Sequence, residues 1–466
     1  MPSENRLTIV GIGPGSPDLR TLAAEEAVKA ADFVVGYGPY LELIRDLLPG
    51  KEVVSGSMGR ELDRVRAAVD LLQEGSVALV SSGDPNVYGM AGLGLELAPD
   101  PSEVLIVPGV TSFTAAACSA GVAFRDAVAA ISLSDLLTPW QEIEGRLRLA
   151  ALQEMPVALY NPRSKRRDWQ LSSALDILGE RDVLVARNVG RKTQEIFWTN
   201  SCKLAEDDAL REKIDMTTLV ILSGKGIFRG DACSEAGVNI VGIGPGGLGH
   251  VTWEAKRILQ RSTRIFGAER YLHLVGDLSP GEKVAHSGPC PERMAARFLE
   301  AKNAALRGEN ASVLTGGDPS VFSSGWRIMD QARGSVGVHI SPGVSAFSSV
   351  AAKAGAPLVN DFVLLSEAQD PSGISAMAEA GFGVVIYNVK GHEIVSLLQD
   401  VDPARPCALA RDVAREGEEM MILTAKDLQC ARPSGFRFTL LVASANSFIK
   451  NGRIITKRGY ENKYSY

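Results

Sequence analysis

The sequence predicts an α/β protein built as a tandem of two similar domains, each with two α/β subdomains flanking a cleft. Three observations predict it. First, the chain repeats itself. "VGIGPGSPDLRTL" (10–22) returns as "VGIGPGGLGHVTW" (241–253), and "SSGDPNVYGM" (81–90) as "TGGDPSVFSS" (315–324). "VPGVTSFTAAACSAG" (107–121) returns as "SPGVSAFSSVAAKAG" (341–355), "ALYNP" (158–162) as "VIYNV" (385–389), and "VARNVGR" (185–191) as "LARDVAR" (409–415). Five matches in one order, at separations that drift by only a few residues, mark a duplicated domain rather than a short-period solenoid. Second, short apolar runs alternate with helical patterns, the signature of layered α/β structure. Third, glycine-rich loops follow the apolar runs, where open α/β sheets collect their ligands.

The elements follow in order. "LTIVGIG" ends at glycine and reads as a buried strand, and "DLRTLAAEEAVKAA" carries helical periodicity behind it. "ADFVVG" is a strand, "RVRAAVDLLQEG" a helix and "SVALVSSGDP" a strand; "SEVLIVPGV" and "SFTAAACSAG" repeat the alternation. A new strand set begins at "AAISLS" in the first copy and "VLLSEA" in the second, which predicts the second subdomain of each. The expected domains are residues 1–230 and 238–466, with the seam in the polar stretch "FRGDACSEAG" (228–237).

Composition narrows the function. A chain of 466 residues with 45% hydrophobic and 22% charged residues is globular. A net charge of −6 argues against a general nucleic-acid binder, although a local basic pocket can still take an acidic ligand. No signal-like N-terminus and no apolar stretch of about 18 residues is present, so no membrane association and a cytoplasmic setting are expected. The six cysteines (118, 202, 233, 290, 407, 430) form no C-x-x-C pair, which predicts reduced thiols and no metal centre. All five histidines (250, 273, 286, 339, 392) lie in the second copy, so any chemistry in the first copy proceeds without one.

Three glycine loops per copy offer close backbone approach to a ligand. Asp84, Thr111 and Ser112 add a carboxylate and hydroxyls, a set suited to a polar, partly cationic small molecule. The rival is a dinucleotide site. Gly242, Gly244 and Gly247 satisfy G-x-G-x-x-G, but the first copy has Ser16 at the third position. Pro14 and Pro245 stand between the glycines, and no acidic residue follows about 20 positions on, so that fingerprint fails.

Taken together, G-x-G-P-G, S-G-D-P-x-V-Y and P-G-V-T-S resemble the tetrapyrrole (corrin/porphyrin) methyltransferase family over most of both copies. "GYGPYLELI" (36–44), "ISLSDLLTPW" (131–140) and "LYNPRSKRRDWQL" (159–171) resemble its precorrin-3B C17-methylating, ring-contracting branch. In the second copy, "GAPLVNDF" (355–362) and "ANSFIKNGRIITKRGY" (445–460) do so too. The resemblance implies a tandem of two tetrapyrrole-methylase-like domains using S-adenosylmethionine on a carboxylate-rich tetrapyrrole substrate. It implies that Gly13, Pro14 and Gly15 shape the cofactor cleft, that Asp84 and Val87 contact the cofactor, and that Thr111 and Ser112 hold its polar end. Tyr160 would lie on the cleft wall. The second-copy counterparts are Asp318, Val321 and Ser345, with Ala346 in place of the last hydroxyl. Arg163, Lys165, Arg166 and Arg167 would meet substrate carboxylates. Asp135 is the candidate for acid–base or orienting work, although a helix N-cap would explain it equally well.

Neither copy carries the whole pattern. The first has "GVAFRDAVA" (121–129), with Asp126 and Ala127, where the second keeps Asn360 and Asp361 in "GAPLVNDF". The second loses "SLSDLLTPW" to "LSEAQDPSG" and "NPRSKRR" to "NVKGHEI", which leaves Lys390 and His392 as its bases there. Three enzymatic readings follow: an active first copy with a degenerate second, two copies methylating different positions, or a fused pseudo-dimer whose halves complement each other. A homodimer of the chain, a tetrapyrrole carrier without catalysis and a nicotinamide-dependent enzyme are the alternatives.

Overall fold

The structure is a computed structural model that describes residues 5–164, 167–230, 237–286, 290–356, 358–367 and 371–462. The first copy opens with strands β1 (Leu7–Gly11), β2 (Phe33–Tyr37), β3 (Glu52–Gly56), β4 (Val77–Ser81) and β5 (Leu105–Val107). They form a parallel sheet in the order β3-β2-β4-β1-β5. The apolar runs of β1, β2 and β4 are buried on both faces, as helix-covered parallel strands require, whereas the edge strand β3 is largely exposed. The first helix, Leu22–Ala30, starts where the Thr21 hydroxyl accepts the Ala24 N–H.

Next come β6 (Val122–Phe124), β7 (Ala127–Ser132), β8 (Val157–Tyr160), β9 (Asp182–Arg187), β10 (Glu195–Asn200), β11 (Thr218–Leu222) and β12 (Ile227–Arg229). The second copy repeats the plan. Its parallel sheet uses β13 (Val238–Gly242), β14 (Arg264–Gly267), β15 (Glu282–Ala285), β16 (Ala311–Thr315) and β17 (Val338–Ser341) in the matching order β15-β14-β16-β13-β17. Its second subdomain uses β18 (Phe362–Leu365), β19 (Gly383–Val389), β20 (Pro406–Arg411), β21 (Glu419–Thr424) and β22 (Phe438–Val442). A hairpin of β23 (Ser447–Lys450) and β24 (Arg453–Thr456) follows.

The two second subdomains are one sheet. β7 pairs antiparallel with β18, which joins the copies into ten strands in the order β10-β9-β11-β8-β7-β18-β19-β22-β20-β21. The seam is self-complementary, as a two-fold interface demands: Val128 faces Leu364, and Ala130 faces Phe362. Both sheet faces carry apolar clusters that run across it. Phe113 stacks on its counterpart Phe347, with ring centroids 6.3 Å apart. The first subdomains also touch, through a bridge between Thr21 and Thr252 and through Arg257 with Asp18. The chain is thus an intramolecular pseudo-dimer.

Candidate functional site

In each copy the three glycine loops meet at the carboxyl ends of adjacent strands. The backbones of Gly13 and Gly83 exchange hydrogen bonds, as do those of Gly244 and Gly317. A Cβ on Gly109 would lie 2.3 Å from the Gly83 carbonyl oxygen, and one on Gly343 would lie 2.4 Å from that of Gly317. These glycines are therefore required first by loop-on-loop packing. The second subdomain latches on through an arginine: Arg415 donates to the Pro245 carbonyl at 2.5 Å, and Arg191 reaches the Pro14 carbonyl at 3.5 Å. Gly15 packs against Arg191, where a side chain would collide with it. Sequence reasoning missed these arginines, although each ends a repeated string.

The G-D-P aspartates face the seam. Asp84 accepts from the backbone and side-chain N–H groups of Asn86, both at 2.8 Å, and its carboxyl also faces Ser348 of the other copy. Burial pushes it up to about 6 against the pull of these donors. Asp318 accepts from Ser320 and from the Gly343 N–H, and meets Thr114 and Cys118 of the first copy. Burial raises it as well. Asp318 therefore holds its loop and the seam, whereas Asp84 holds its loop and keeps Oδ2 buried without a hydrogen-bond partner among the described residues.

Beyond the G-D-P loops the copies diverge. In the first, the hydroxyls of Thr111 and Ser112 both lie 3.1 Å from the Tyr160 hydroxyl, which also accepts the Phe113 N–H. In the second, Tyr387 accepts only the Phe347 N–H among these groups, while the buried Ser345 hydroxyl has no partner. The second cleft encloses ≈ 510 Å³ and is lined by Pro245, Asp318, Val321, Ser345, Ala346 and Tyr387, with Arg270, Arg415 and Arg437 around it. Every lining residue comes from the second copy.

The first cleft encloses ≈ 350 Å³ and draws on both copies. Tyr37, Tyr40, Arg64, Tyr88, Ser132 and Asn161 belong to the first; Val359, Asn360, Asp361, Arg458 and Tyr460 belong to the second. Met58 and Leu136 stand at its rim, 66% and 64% exposed, and supply apolar walls. Asp361 joins its walls. One carboxylate oxygen accepts the Tyr88 O–H at 2.9 Å and the Ser132 N–H at 2.8 Å; the other takes Arg146 at 3.0 Å. Asp361 and Arg146 are nearly fully buried. Burial and the adjacent Asp361 carboxylate both raise the Tyr88 phenol, so it remains a donor. Tyr88 also sits in the left-handed region at φ 50°, uncommon for a bulky residue. The counterpart Phe322 shares that strain at φ 49°, but has no hydroxyl, and Ala127 stands where Asp361 would be.

The expected catalytic residues are not brought to this cleft. Asp135 is absent from its lining and accepts a hydrogen bond from Gln170 at 3.0 Å. Nor does it cap a helix, because the next one starts at Trp140 behind Pro139. Arg163 donates to the Arg211 carbonyl at 2.6 Å, and buried Arg167 donates to that of Leu133, so both brace loops. Lys165 and Arg166 lie outside the described residues. The carboxylates that do line the cleft are Asp361 and Glu61, the latter paired with Arg64 at 3.3 Å. Among the described residues no cluster of histidine, cysteine and carboxylate side chains could hold a metal ion. No helix there is long and apolar enough to cross a membrane.

The chain is similar to known proteins. The chain is 41% identical over 229 residues to the cobalamin biosynthesis protein CbiHC of Archaeoglobus fulgidus, a match covering 48% of this chain and 50% of that protein. It is 42% identical over 228 residues to a probable cobalt-factor III C(17)-methyltransferase of Salmonella typhimurium, covering 47% of this chain and 92% of the relative. The crystal structure of the methyltransferase CobJ matches at 36% identity and a TM-score of 0.41, over 47% of this chain and 95% of that one. The family description "Tetrapyrrole (Corrin/Porphyrin) Methylases" matches residues 6–205 and again 237–429. With both copies matched, the chain belongs to the tetrapyrrole (corrin/porphyrin) methylase family.

Proposed function

We propose that this chain transfers a methyl group from S-adenosylmethionine to a ring carbon of a cobalamin-pathway macrocycle, of the C17 type, with the first copy as the catalytic domain. The domains are taken as residues 1–230 and 238–466. Family membership and the names of the similar proteins support the reaction class. One observation carries the assignment to the first copy: its cleft combines apolar rim residues, tyrosines and arginines, and keeps the Tyr88–Asp361 pair that the second cleft lacks.

The residues fit the donor. The unpartnered Ser345 hydroxyl in the second cleft can receive one of its polar groups. Pro245, Asp318 and Val321 line the same wall. In the first copy, Gly13, Pro14, Gly15, Asp84, Val87, Thr111, Ser112 and Tyr160 occupy the matching positions and would hold it. Asp318 would contribute through its backbone, since its carboxylate serves the seam. When bound, S-adenosylmethionine supplies a methyl group already activated by its sulfonium, so no protein nucleophile is needed. The chain's task is to align the acceptor carbon and exclude water, an effect worth up to about 7–11 kcal/mol in ideal systems. The three glycine loops fix the donor wall, Met58 and Leu136 shield the acceptor side, and Arg191 keeps the two subdomains closed on each other.

The test incubates the full chain with methyl-labelled donor and a precorrin or cobalt-factor acceptor. Label in the macrocycle supports the enzyme; macrocycle bound with no donor bound and no label transferred supports the carrier instead. A second reading, donor binding in both copies, draws on the open second cleft. Two moles of S-adenosylhomocysteine bound per chain would establish it.

A further inference from the structure

The second copy ends in a segment with no counterpart in the first. β23 stands where β12 stands in the first copy, but after β12 the first copy runs on into the next domain, whereas after β23 the second adds β24 and a tail through Asn462. This segment crosses to the first copy. Asn451 donates to Asp100 at 3.1 Å, Arg453 to the Val104 carbonyl at 3.2 Å, and Lys457 pairs with Glu96 at 3.9 Å. The Lys457 carbonyl accepts from Asn360 at 3.3 Å, which ties the tail to the loop that carries Asp361. The next residue, Arg458, is thereby set into the wall of the first cleft, its guanidinium 5.9 Å from the centroid of the Tyr88 ring.

Arg458 differs from the cleft's other arginine. Arg64 is spent on the Ser57 carbonyl and on Glu61. Among the described residues Arg458 forms no ion pair, and its guanidinium lies over the Tyr88 ring. A half-buried guanidinium at a cleft wall, held by an anchored backbone and with its donor fork unspent, suits a carboxylate or other planar oxyanion. Asp361 holds Tyr88, and Tyr88 supports Arg458. The second cleft has no such arginine from across the seam, because the first copy has no tail to send.

We propose that Arg458, supplied by the second copy, receives a peripheral carboxylate of the macrocycle bound in the first copy's cleft and so determines acceptor specificity there. This rests on the functional reading above. The role explains why a copy that has lost part of its own site pattern retains its tail: the tail serves the neighbouring cleft.

Full-length wild type, Arg458→Gln and Arg458→Lys are compared by absorbance titration with uroporphyrin, a free-acid tetrapyrrole, and by methyl transfer to the precorrin acceptor. Arg45→Gln, at an 83% exposed arginine outside both clefts, is the control. The Gln variant should weaken uroporphyrin binding and raise acceptor KM at least tenfold, with kcat and S-adenosylhomocysteine affinity within twofold of wild type. The Lys variant should recover part of the loss, and Arg45→Gln should match wild type. Unfolding midpoints within error of wild type would exclude a folding effect. If wild type methylates and Arg458→Gln matches it in KM and uroporphyrin affinity, this inference fails while the functional reading stands. If wild type neither binds uroporphyrin nor methylates, the functional reading falls first and this one with it.

Discussion

The two clefts share a frame and differ in what was kept. Both have three crowded glycine loops, an arginine latch to the proline carbonyl and an aromatic residue in a left-handed turn. The first adds Tyr88 bonded to Asp361; the second has Phe322 and Ala127. Hydroxyl and carboxylate are thus missing from the second cleft together, although one belongs to each copy. Losing one alone would strand a buried polar group, whereas losing both removes the need for either. The comparison teaches that each cleft, rather than each copy, is the chemical unit.

The sharpest way to break this comparison is at Asp361. Replacing it with alanine leaves Arg146 buried with the half-exposed Glu142 as its one remaining carboxylate beside the Ala380 carbonyl, and Tyr88 without its acceptor. Breaking a buried pair from one side costs about 3–5 kcal/mol. Denaturant unfolding should show that loss, together with loss of methyl transfer. A variant with wild-type stability would mean that the seam network carries no load.

Glycine replacements address each cleft separately. Gly109→Ala and Gly343→Ala press a methyl group onto the carbonyls of Gly83 and Gly317. Overpacking of this kind costs about 1–3 kcal/mol, and the matched geometry predicts similar destabilisation for both. Their ligand effects should separate: Gly109→Ala should abolish transfer, and Gly343→Ala should leave it largely intact. If Gly343→Ala also abolishes transfer at intact fold, the first copy is not the sole catalytic domain.

What the sequence disclosed and what it hid follow from the range of the forces involved. The glycine loops and strand ends were legible because each is a local constraint, repeated at matching positions. The parallel sheets were legible because strands buried on both faces are written as continuous apolar runs. The joining of the copies through β7 and β18 was not, since antiparallel pairing across a two-fold leaves no mark in either strand alone. Asp361 and Arg458 were hidden for the same reason: they are distant in sequence from the cleft they line. Yet the signal existed. The loop and tail missing from one copy's pattern were present in the other, as complementary halves require. Asp135 and Arg163 stood out because their strings are distinctive; in the structure their side chains meet Gln170 and the Arg211 carbonyl.

The copies should also differ in acid. His250 stands where the first copy has buried Leu19, and burial, with Lys353 nearby, holds it down to about 4. An unfolded histidine titrates near 6.5. The folded state therefore binds fewer protons between these values, and its stability is full above about pH 6.5 and declines as pH falls toward 4. At pH 5 the loss is about 2 kcal/mol. His250→Leu should remove that decline, measured as the difference in unfolding free energy between pH 8 and pH 5. An unchanged pH dependence would show that His250 is not held neutral. Asp84 acts in the opposite sense: held up to about 6, it stabilises the fold below its unfolded value near 3.9, and that contribution is lost as pH rises through 6. Asp84→Asn should flatten that window.

The finest test rebuilds the lost pair. Ala127→Asp alone places a carboxylate in a buried position with no arginine to meet it, because the residue matching Arg146 is Gly373. It should destabilise the chain. Phe322→Tyr alone adds a hydroxyl that finds no carboxylate. Combined, the two should recover about 1 kcal/mol relative to the sum of the single changes, the coupling typical of side chains in direct contact. Unfolding free energies of the four chains give that coupling directly. A value near zero would mean that Phe322 and residue 127 do not meet as Tyr88 and Asp361 do. The two clefts would then differ in backbone geometry as well as in side chains, and the second could not be regarded as the first with its polar pair removed.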